Sequence, residues 1–365
     1  ASNVTGIVIP PVFAPVAVTG ATPSLDVGSY NFFNQGELTA NTTVSFANVP
    51  TNAKWSYTFI PTVPGVWDLS DASFVRTLSL ASYDSDPQAI YFKADGKAMY
   101  VAGGATQKVI QFALSTPWDI STLSLVASTS ISANTLYPHG IFFKDDGTKM
   151  YTCDPGGSKV NEYTLSTAWL ASTISYSQSF SVSSQDGSPL DLTFKPDGTK
   201  MYFPGTNNDS VYGYTLSTAW DISTATHVET FSISTQTANP YGMFFKTDGT
   251  KMYVVDNVSP DSVYEYNLST AWDVSTASYS KSFSVATQDS DPQGVFFRPD
   301  GINMYVVGKT NGLHQYGFGD PYTVTLPSSL YRGASKVLTG YENVTYDFFT
   351  MDGGTTVTLI GEEIV

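Results

Sequence analysis

Apolar and polar residues alternate along most of the chain in short runs, and no stretch shows a sustained helical period. Between Trp220 and Ala271 this pattern predicts four strands, because the runs are rich in Val, Phe, Tyr and Thr or alternate as half-buried strands do. Residues 247–250 separate the second run from the third, and their Asp-Gly pair favours a tight hairpin turn. The four predicted strands are His227–Ile233, Tyr241–Lys246, Lys251–Val255 and Ser262–Asn267.

The same pattern occurs five times. An Asp-Gly-x-x-Met-Tyr motif recurs with its glycines 51, 51, 51 and 52 residues apart, and a tryptophan keeps nearly the same step. Two independent markers with one period indicate an array of units packed on their neighbours. Four antiparallel strands in each unit are typical of a β-propeller blade. The marker tryptophans are Trp67, Trp118, Trp169, Trp220 and Trp272.

The two ends of the repeat region predict how the ring closes. One strand, Phe74–Ala81, precedes the first complete repeat, and the last repeat ends at Gly312–Phe318 without a fourth strand. We therefore expect Phe74–Ala81 to be the outer strand of the last blade, which leaves no long exposed edge. The predicted fold is all-β, with residues 66–319 forming a five-bladed propeller of four-stranded blades.

Strand-like segments also lie on both sides of the ring, in residues 30–65 and 320–365. Neither piece can bury a core alone, and both leave a closed ring at neighbouring points. We predict one split, β-sandwich-like anchoring domain in which the propeller is inserted. Residues 1–29 are expected to form an extended, apolar, Pro-rich arm. The sequence leaves open whether this arm lies on a neighbouring subunit or packs on its own chain.

Composition excludes several function classes. The 17 Lys and Arg stand against 32 Asp and Glu, and a formal charge of −15 disfavours nucleic-acid binding. Cys153 is the only cysteine, so no disulfide framework exists, and the three histidines fall at unrelated strand positions. Residues 1–25 contain too many prolines to span a membrane, so no membrane insertion is expected. No cofactor and no metal are expected either.

Positions that differ between repeats are the candidates for binding, because positions shared by every repeat serve the blade. Two variable loop families are predicted to share one face of the ring. Each first strand opens with Pro-x-small, and its middle residue is expected either to bind at the channel mouth or to plug it; Leu190 is one of these five. The candidate ligand-binding residues are Tyr83, Asp86, Gln88, Tyr137, His139, Asp186, Asp191, Tyr241, Asp256, Asp289, Asp291 and Gln293.

Neither a cation site nor a catalytic site is clearly indicated. The Asp-x-Asp-Pro segments at Asp84 and Asp289 would suit calcium, but Asx turns before proline explain them as well. Propeller glycosidases need two carboxylates across the axis, and only Asp191 falls on the predicted inner ring. No Ser-His-Asp order or phosphate loop is visible, so we expect no enzyme activity.

The hairpin Pro196–Phe203 resembles those of the YVTN/NHL-like propeller superfamily, although the period here is longer than is usual there. This resemblance covers residues 66–319 and implies a fold, with no particular activity. The flanks resemble tail-fibre and appendage modules of marine bacteriophages, a resemblance that implies one module running through both flanks and no catalytic residue. The matching stretches are Gly36–Phe46, Val324–Ser329 and Thr345–Gly354.

Composition and resemblance together predict a non-enzymatic virion surface or appendage protein, of the phage fibre or decoration type. Its propeller would face outward and bind host-surface glycans. The arm and the split domain would contact further copies of the chain and other virion proteins, at the virion surface or outside the cell. The alternative is a secreted propeller lectin, or a propeller-type hydrolase or lactonase.

Overall fold

The structure is a computed structural model that describes residues 66–310 and 312–318 in full. In the flanks it describes only the backbone of strand segments at residues 16–17, 24–26, 32–37, 42–43, 45–47, 54–60, 324–331, 334–338, 344–350 and 357–364. The chain divides into two compact units, residues 65–318 and residues 1–64 with 319–365. No helix among the described residues is long and apolar enough to cross a membrane.

The larger unit contains five antiparallel sheets of four strands each, which confirms the five-bladed prediction. The first, innermost strands are Pro87–Phe92, His139–Phe143, Thr193–Phe194, Pro240–Phe245 and Pro292–Phe297. The second strands are Ala98–Gly103, Lys149–Asp154, Lys200–Gly205, Lys251–Asp256 and Asn303–Gly308. The third strands are Lys108–Leu114, Lys159–Leu165, Ser210–Leu216, Ser262–Leu268 and Gly312–Phe318. The outer strands are Leu123–Ser130, Ile174–Ser181, Ala225–Ser232, Ala277–Ser284 and Ala72–Leu78.

The ring closes through the N-terminal strand, as predicted. When the blades are numbered 1 to 5 in the order of their first strands, Ala72–Leu78 pairs antiparallel with Gly312–Phe318 and completes blade 5. At the axis the first strands of blades 5 and 1 touch, since a Cβ on Gly294 would stand 3.1 Å from the Cα of Ala89. The outer strand ends before the predicted Ala81 because the chain turns at Leu80, whose carbonyl accepts from two backbone amides beyond it.

Each tryptophan covers the hairpin of its own blade and contacts the preceding blade. The φ of Trp220 is +66°, and a Cβ on Gly198, itself at φ +72°, would lie 2.3 Å from the indole. The Trp220 amide donates to the Gly198 carbonyl at 3.0 Å, while its carbonyl accepts from the hydroxyl of Tyr151 in blade 2 at 2.7 Å. The Asp-Gly, Met-Tyr and Trp motifs therefore recur together because they form one inter-blade joint.

The first strand of blade 3 departs from the expected regular pattern. Only Thr193–Phe194 pair there, besides one isolated bridge at Pro189. Asp191 occupies the position that is Ala or Gly in the other blades, and its carboxylate accepts from the backbone amide of Met243 at 2.8 Å. Blade 3 still has four strands, as predicted, but its first strand is shortened because a polar side chain competes with the ladder.

Strands from both flanks share one sheet in the smaller unit. Lys54–Ile60 pairs antiparallel with Val344–Thr350, which joins the N-terminal and C-terminal pieces. Within the expected arm, Val16–Ala17 and Ser24–Asp26 pair with strands of the same chain, which favours own-chain packing at these positions. The rest of residues 1–29 lies outside the described residues. The sheets are Val16–Ala17, Phe32–Glu37, Lys54–Ile60, Val344–Thr350 and Val357–Ile364; Thr42–Thr43, Val324–Tyr331 and Ala334–Leu338; and Ser24–Asp26 with Ser45–Ala47.

Candidate functional site

The mouth of the channel is formed where the five first strands begin. Tyr241 is a bulge residue, since Pro240 and Gly242 pair with the second strand and Tyr241 does not, and Gln88 and Gln293 occupy the same place. Bulges re-aim side chains, here toward the axis. His139 and Tyr241 have ring centroids 6.1 Å apart although blade 3 lies between their blades, which places both rings at the axis. We call the five residues the axial mouth: Gln88, His139, Leu190, Tyr241 and Gln293.

Two glutamines of the axial mouth are buried and only half satisfied. Gln88 is 3% exposed and donates its amide N–H to Asp86 Oδ1 at 2.6 Å. Gln293, 1% exposed, donates in the same way to Asp291 Oδ1. The amide oxygens of both glutamines are buried and have no partner among the described residues. An unpaired buried acceptor costs about 1–3 kcal/mol, so each of these two oxygens is a candidate to accept from a donor that a ligand supplies.

The two aspartates behind these glutamines are tied to the neighbouring loops. Lys309 Nζ lies 3.2 Å from Asp86 Oδ1, and Asn257 donates to Asp291 Oδ1 at 3.0 Å. Lys309 and Asn257 occupy equivalent places, in the loop between the second and third strands of the preceding blade. The two variable loop families therefore meet beside the axial mouth.

The imidazole of His139 is neutral at ordinary pH. Burial, and secondarily the charge of Lys309, lower its pKa to about 4. With Tyr241 it provides a pair of neighbouring rings in the axial mouth, to which the amide oxygens of Gln88 and Gln293 also belong. Rings combined with a few placed polar groups are the usual lining of a small-ligand site.

Other candidate residues hold the loops together. In blade 3, Asp186 is buried and accepts from the backbone amides of Ser188 at 2.8 Å and Asn208 at 3.2 Å. Asp84 and Asp289 hold the equivalent loops in blades 1 and 5. Like Asp186, each accepts from the backbone amide two residues further along the chain, as in an Asx turn. These carboxylates are occupied by their own chain, and a ligand role for Asp186 and Asp289 stays a prediction.

Blades 2 and 4 also have a buried carboxylate between their loops, but it comes from a different position. Threonine stands where the aspartate was, at Thr135 and Thr237, and the carboxylate comes instead from the end of the second strand. Asp154 accepts from the amides of the facing loop, while Asp256 accepts from the amide of Ser262 at 3.0 Å. In blades 1, 3 and 5 that strand end is glycine, since a Cβ would lie 2.2–2.5 Å from the aspartate. Every blade thus has one buried carboxylate between its variable loops.

The predicted tyrosines outside the axial mouth differ in exposure. Tyr83 is half-buried and packs edge-on against Phe112, with ring centroids 4.9 Å apart. Tyr137 is 58% exposed and lies beside Gly156 on the variable face. Tyr137 is therefore available to a ligand, whereas Tyr83 is mainly part of the core.

Asp191 is buried between the first strands of blades 2 and 4 rather than lying at the surface. Burial raises its pKa to about 7, although its two oxygens accept from the amides of Leu192 and Met243, each at 2.8 Å. The thiol of Cys153 donates to the backbone carbonyl of Asp191 at 3.1 Å. These contacts make Asp191 a link from blade 3 to both of its neighbours, to blade 2 through Cys153 and to blade 4 through Met243.

A polar pocket of about 370 Å³ lies at the ring closure, beside the axial mouth. Thr77 and Ser79 line it from the outer strand side, Ser85 and Pro87 from the loop that enters blade 1, and Lys309 from blade 5. Because Lys309 also contacts Asp86, and Asp86 accepts from Gln88, two successive contacts connect the pocket with the axial mouth. A polar ligand larger than one sugar ring could extend from the mouth into this pocket.

No protein-family model matches the chain, and no curated protein matches it significantly. Among solved structures, a putative 6-phosphogluconolactonase from Bacteroides uniformis is 11% identical, with a TM-score of 0.40 over 74% of this chain and 69% of that one. The periplasmic gluconolactonase PpgL of Pseudomonas aeruginosa is 14% identical, with a TM-score of 0.40 over 76% and 70%. Similarity at this level carries no argument about activity.

Proposed function

We propose that the protein is a non-enzymatic binding protein of a surface, whose propeller holds a glycan at the axial mouth. The observation that carries this proposal is that the axial mouth contains two neighbouring rings, His139 and Tyr241, and two buried amide oxygens that have no donor among the described residues. A sugar offers an apolar ring face for the aromatic side chains and hydroxyl donors for the oxygens. Tyr137 and the neighbouring polar pocket extend the surface available to it.

The display part of the proposal concerns the flanks. A sheet built from Lys54–Ile60 and Val344–Thr350 gives the propeller a second unit that can serve as an anchor. A charged-residue content of only 13%, a single cysteine and the resemblance of the flanks to phage appendage modules support a place on a virion surface, among copies of the chain and other virion proteins.

The binding part is tested by glycan-array screening of the full chain, followed by calorimetry with the best ligand. Tyr241→Ala should weaken binding about tenfold, since one stacked ring contributes about 0.5–1.5 kcal/mol beyond its buried area. Tyr279→Ala, an exposed tyrosine on the outer strand of blade 4, is the matched control and should bind normally. Equal losses in both variants, or turnover of a glycan or lactone by the unaltered chain, would contradict the proposal.

The anchoring part needs assembled particles. A chain that lacks residues 1–64 and 319–365 should not be incorporated into particles. Full-length variants whose substitution at the axial mouth weakens glycan binding should still be incorporated. Normal incorporation of the isolated residues 65–318 would rule out the flanks as the anchor.

A further inference from the structure

The polar atoms of the axial mouth that lack a hydrogen-bond partner among the described residues are acceptors. The amide oxygens of Gln88 and Gln293 lack a donor among the described residues, and their amide nitrogens are already bound to carboxylates. We propose that the axial mouth takes its ligand through a protonated primary amine, whose N–H groups bond both oxygens. This inference rests on the proposed binding role of the mouth and adds the chemical class of the ligand.

The orientation of both amides follows from their partners. Each nitrogen donates to an aspartate, Asp86 or Asp291, and turning the amide over would place its oxygen against that carboxylate. The oxygens must therefore face away from the aspartates. An ammonium group has three donors and no acceptor, so it matches two neighbouring oxygens without leaving an acceptor of its own unpaired.

The two glutamines stand at equivalent positions of adjacent blades. Asp84–Gln88 and Asp289–Gln293 have the same sequence, Asp-Ser-Asp-Pro-Gln, and lie in the adjacent blades 1 and 5. Their first strands touch at this level, since a Cβ on Gly294 would be 3.1 Å from the backbone oxygen of Gln88. No other described blade repeats this segment, so the pair is a local feature rather than part of the blade pattern.

Charge selects a cation over an anion. The carboxylates of Asp86 and Asp291 lie directly behind the amides, and the chain carries a formal charge of −15. Lys309 neutralises part of this field, but it is a partly exposed side chain that already contacts Asp86. A carboxylate or sulfate would be repelled, whereas an ammonium is attracted and can also lie against the ring of Tyr241.

A primary ammonium could come from an amino sugar or from a lysine-like alkylamine, and calorimetry on the full chain separates these sources. We would titrate a glucosamine tetramer, the N-acetylglucosamine tetramer and cadaverine. The free amine should bind at least about tenfold more tightly than its acetylated form, as expected for charge-assisted hydrogen bonds, and should weaken as salt is added. Binding of cadaverine identifies the alkylamine source, and binding of the glucosamine tetramer alone identifies the sugar.

Variants test the residues. Gln88→Leu with Gln293→Leu should abolish the preference for the amine, while Gln178→Leu on the outer strand of blade 2 should keep it. If the double variant does not fold, Asp86→Asn should still weaken amine binding severalfold, and Asp95→Asn on the opposite face should not. Equal affinity for the amine and acetylated forms overturns this inference and leaves the glycan proposal intact. Binding of cadaverine without any glycan supports the inference and overturns the glycan proposal.

Discussion

The two faces of the propeller are built from the same repeat, yet they differ in what recurs. We call the face with the Asp-Gly turns and the five tryptophans the hairpin face. It has the same joint in each blade: the indole covers a glycine, and a tyrosine hydroxyl donates to the tryptophan carbonyl. We call the face with the two variable loop families the loop face. At its most accessible positions, the five blades do not share a residue type. Only its hidden element recurs, the buried carboxylate between the two loops of each blade.

This difference separates stability from recognition. On the hairpin face, a side chain that would look like a sugar platform by itself is fixed by five-fold recurrence as part of the packing. On the loop face, the mouth residues are a glutamine, a histidine, a leucine, a tyrosine and a glutamine, which no packing requirement of the repeat explains. Binding is therefore expected where equivalent positions disagree.

The largest effect is expected from breaking a joint of the hairpin face. Trp220→Ala should lower the free energy of unfolding by about 3–5 kcal/mol, because it removes a buried aromatic ring from between blades 2 and 3. Chemical denaturation measures the loss, and Trp272→Ala should show nearly the same value. A wild-type stability combined with lost glycan binding would instead make these tryptophans a recognition surface and would reverse the comparison.

A smaller effect is expected from exchanging the buried carboxylate of blade 3. Asp186→Thr should cost about 1–3 kcal/mol, since two loop amides lose their acceptor. Gly205→Asp alone should also destabilise, because its Cβ would lie 2.4 Å from the Asp186 carboxyl carbon. The double variant recreates the Thr135 and Asp154 arrangement of blade 2 and should recover most of the loss.

The double-mutant cycle for this pair is measured by urea denaturation of the four proteins. Losses that simply add would mean that the carboxylate does not join the two loops. Glycan binding should follow the stability of the loops and recover in the double variant, because Asp186 is already occupied by its own chain.

Much of this fold is predictable from the sequence, because a repeat tests each position five times. The period predicted the number of blades, and the unpaired strands at its two ends predicted the closure between Ala72–Leu78 and Gly312–Phe318. Recurrence also separated the tryptophans from the candidate site. The division of the flanks into a sandwich-like domain and an arm stays a prediction beyond the pairings that the described strands show.

The site was only partly predictable. The repeat predicted which residues lie at the axial mouth. The unpaired oxygens of Gln88 and Gln293 depend on which atom of each amide faces the aspartate, and the sequence does not show this orientation. The exchange of Asp-Gly for Thr-Asp between blades was visible as a compensating pair, and comparing the two loop families position by position would have found it. The broken strand at Asp191 required knowledge of the amide of Met243, which comes from the next blade.

A gradual effect, spread over about three pH units, is expected at the axis, where the pKa of Asp191 is shifted in the direction opposite to that of Asp197 on the hairpin face. The pKa of Asp197 is held near 2 by its bonds to Lys195 and Thr199, although burial opposes this, whereas burial raises the pKa of Asp191 to about 7. A raised folded-state pKa means that the folded form prefers the proton. The stabilising effect is complete below about pH 4 and is lost as the pH rises to about 7, at up to about 1.4 kcal/mol per pH unit. The lowered pKa of His139, about 4, makes the unfolding free energy change with pH in the opposite direction over part of this range.

The quantity to measure is therefore the difference in unfolding free energy between the unaltered chain and Asp191→Asn at each pH. This difference should fall steadily between about pH 4 and 7 and level off above. A difference independent of pH would show that Asp191 is ionised throughout and that its two amide bonds outweigh its burial.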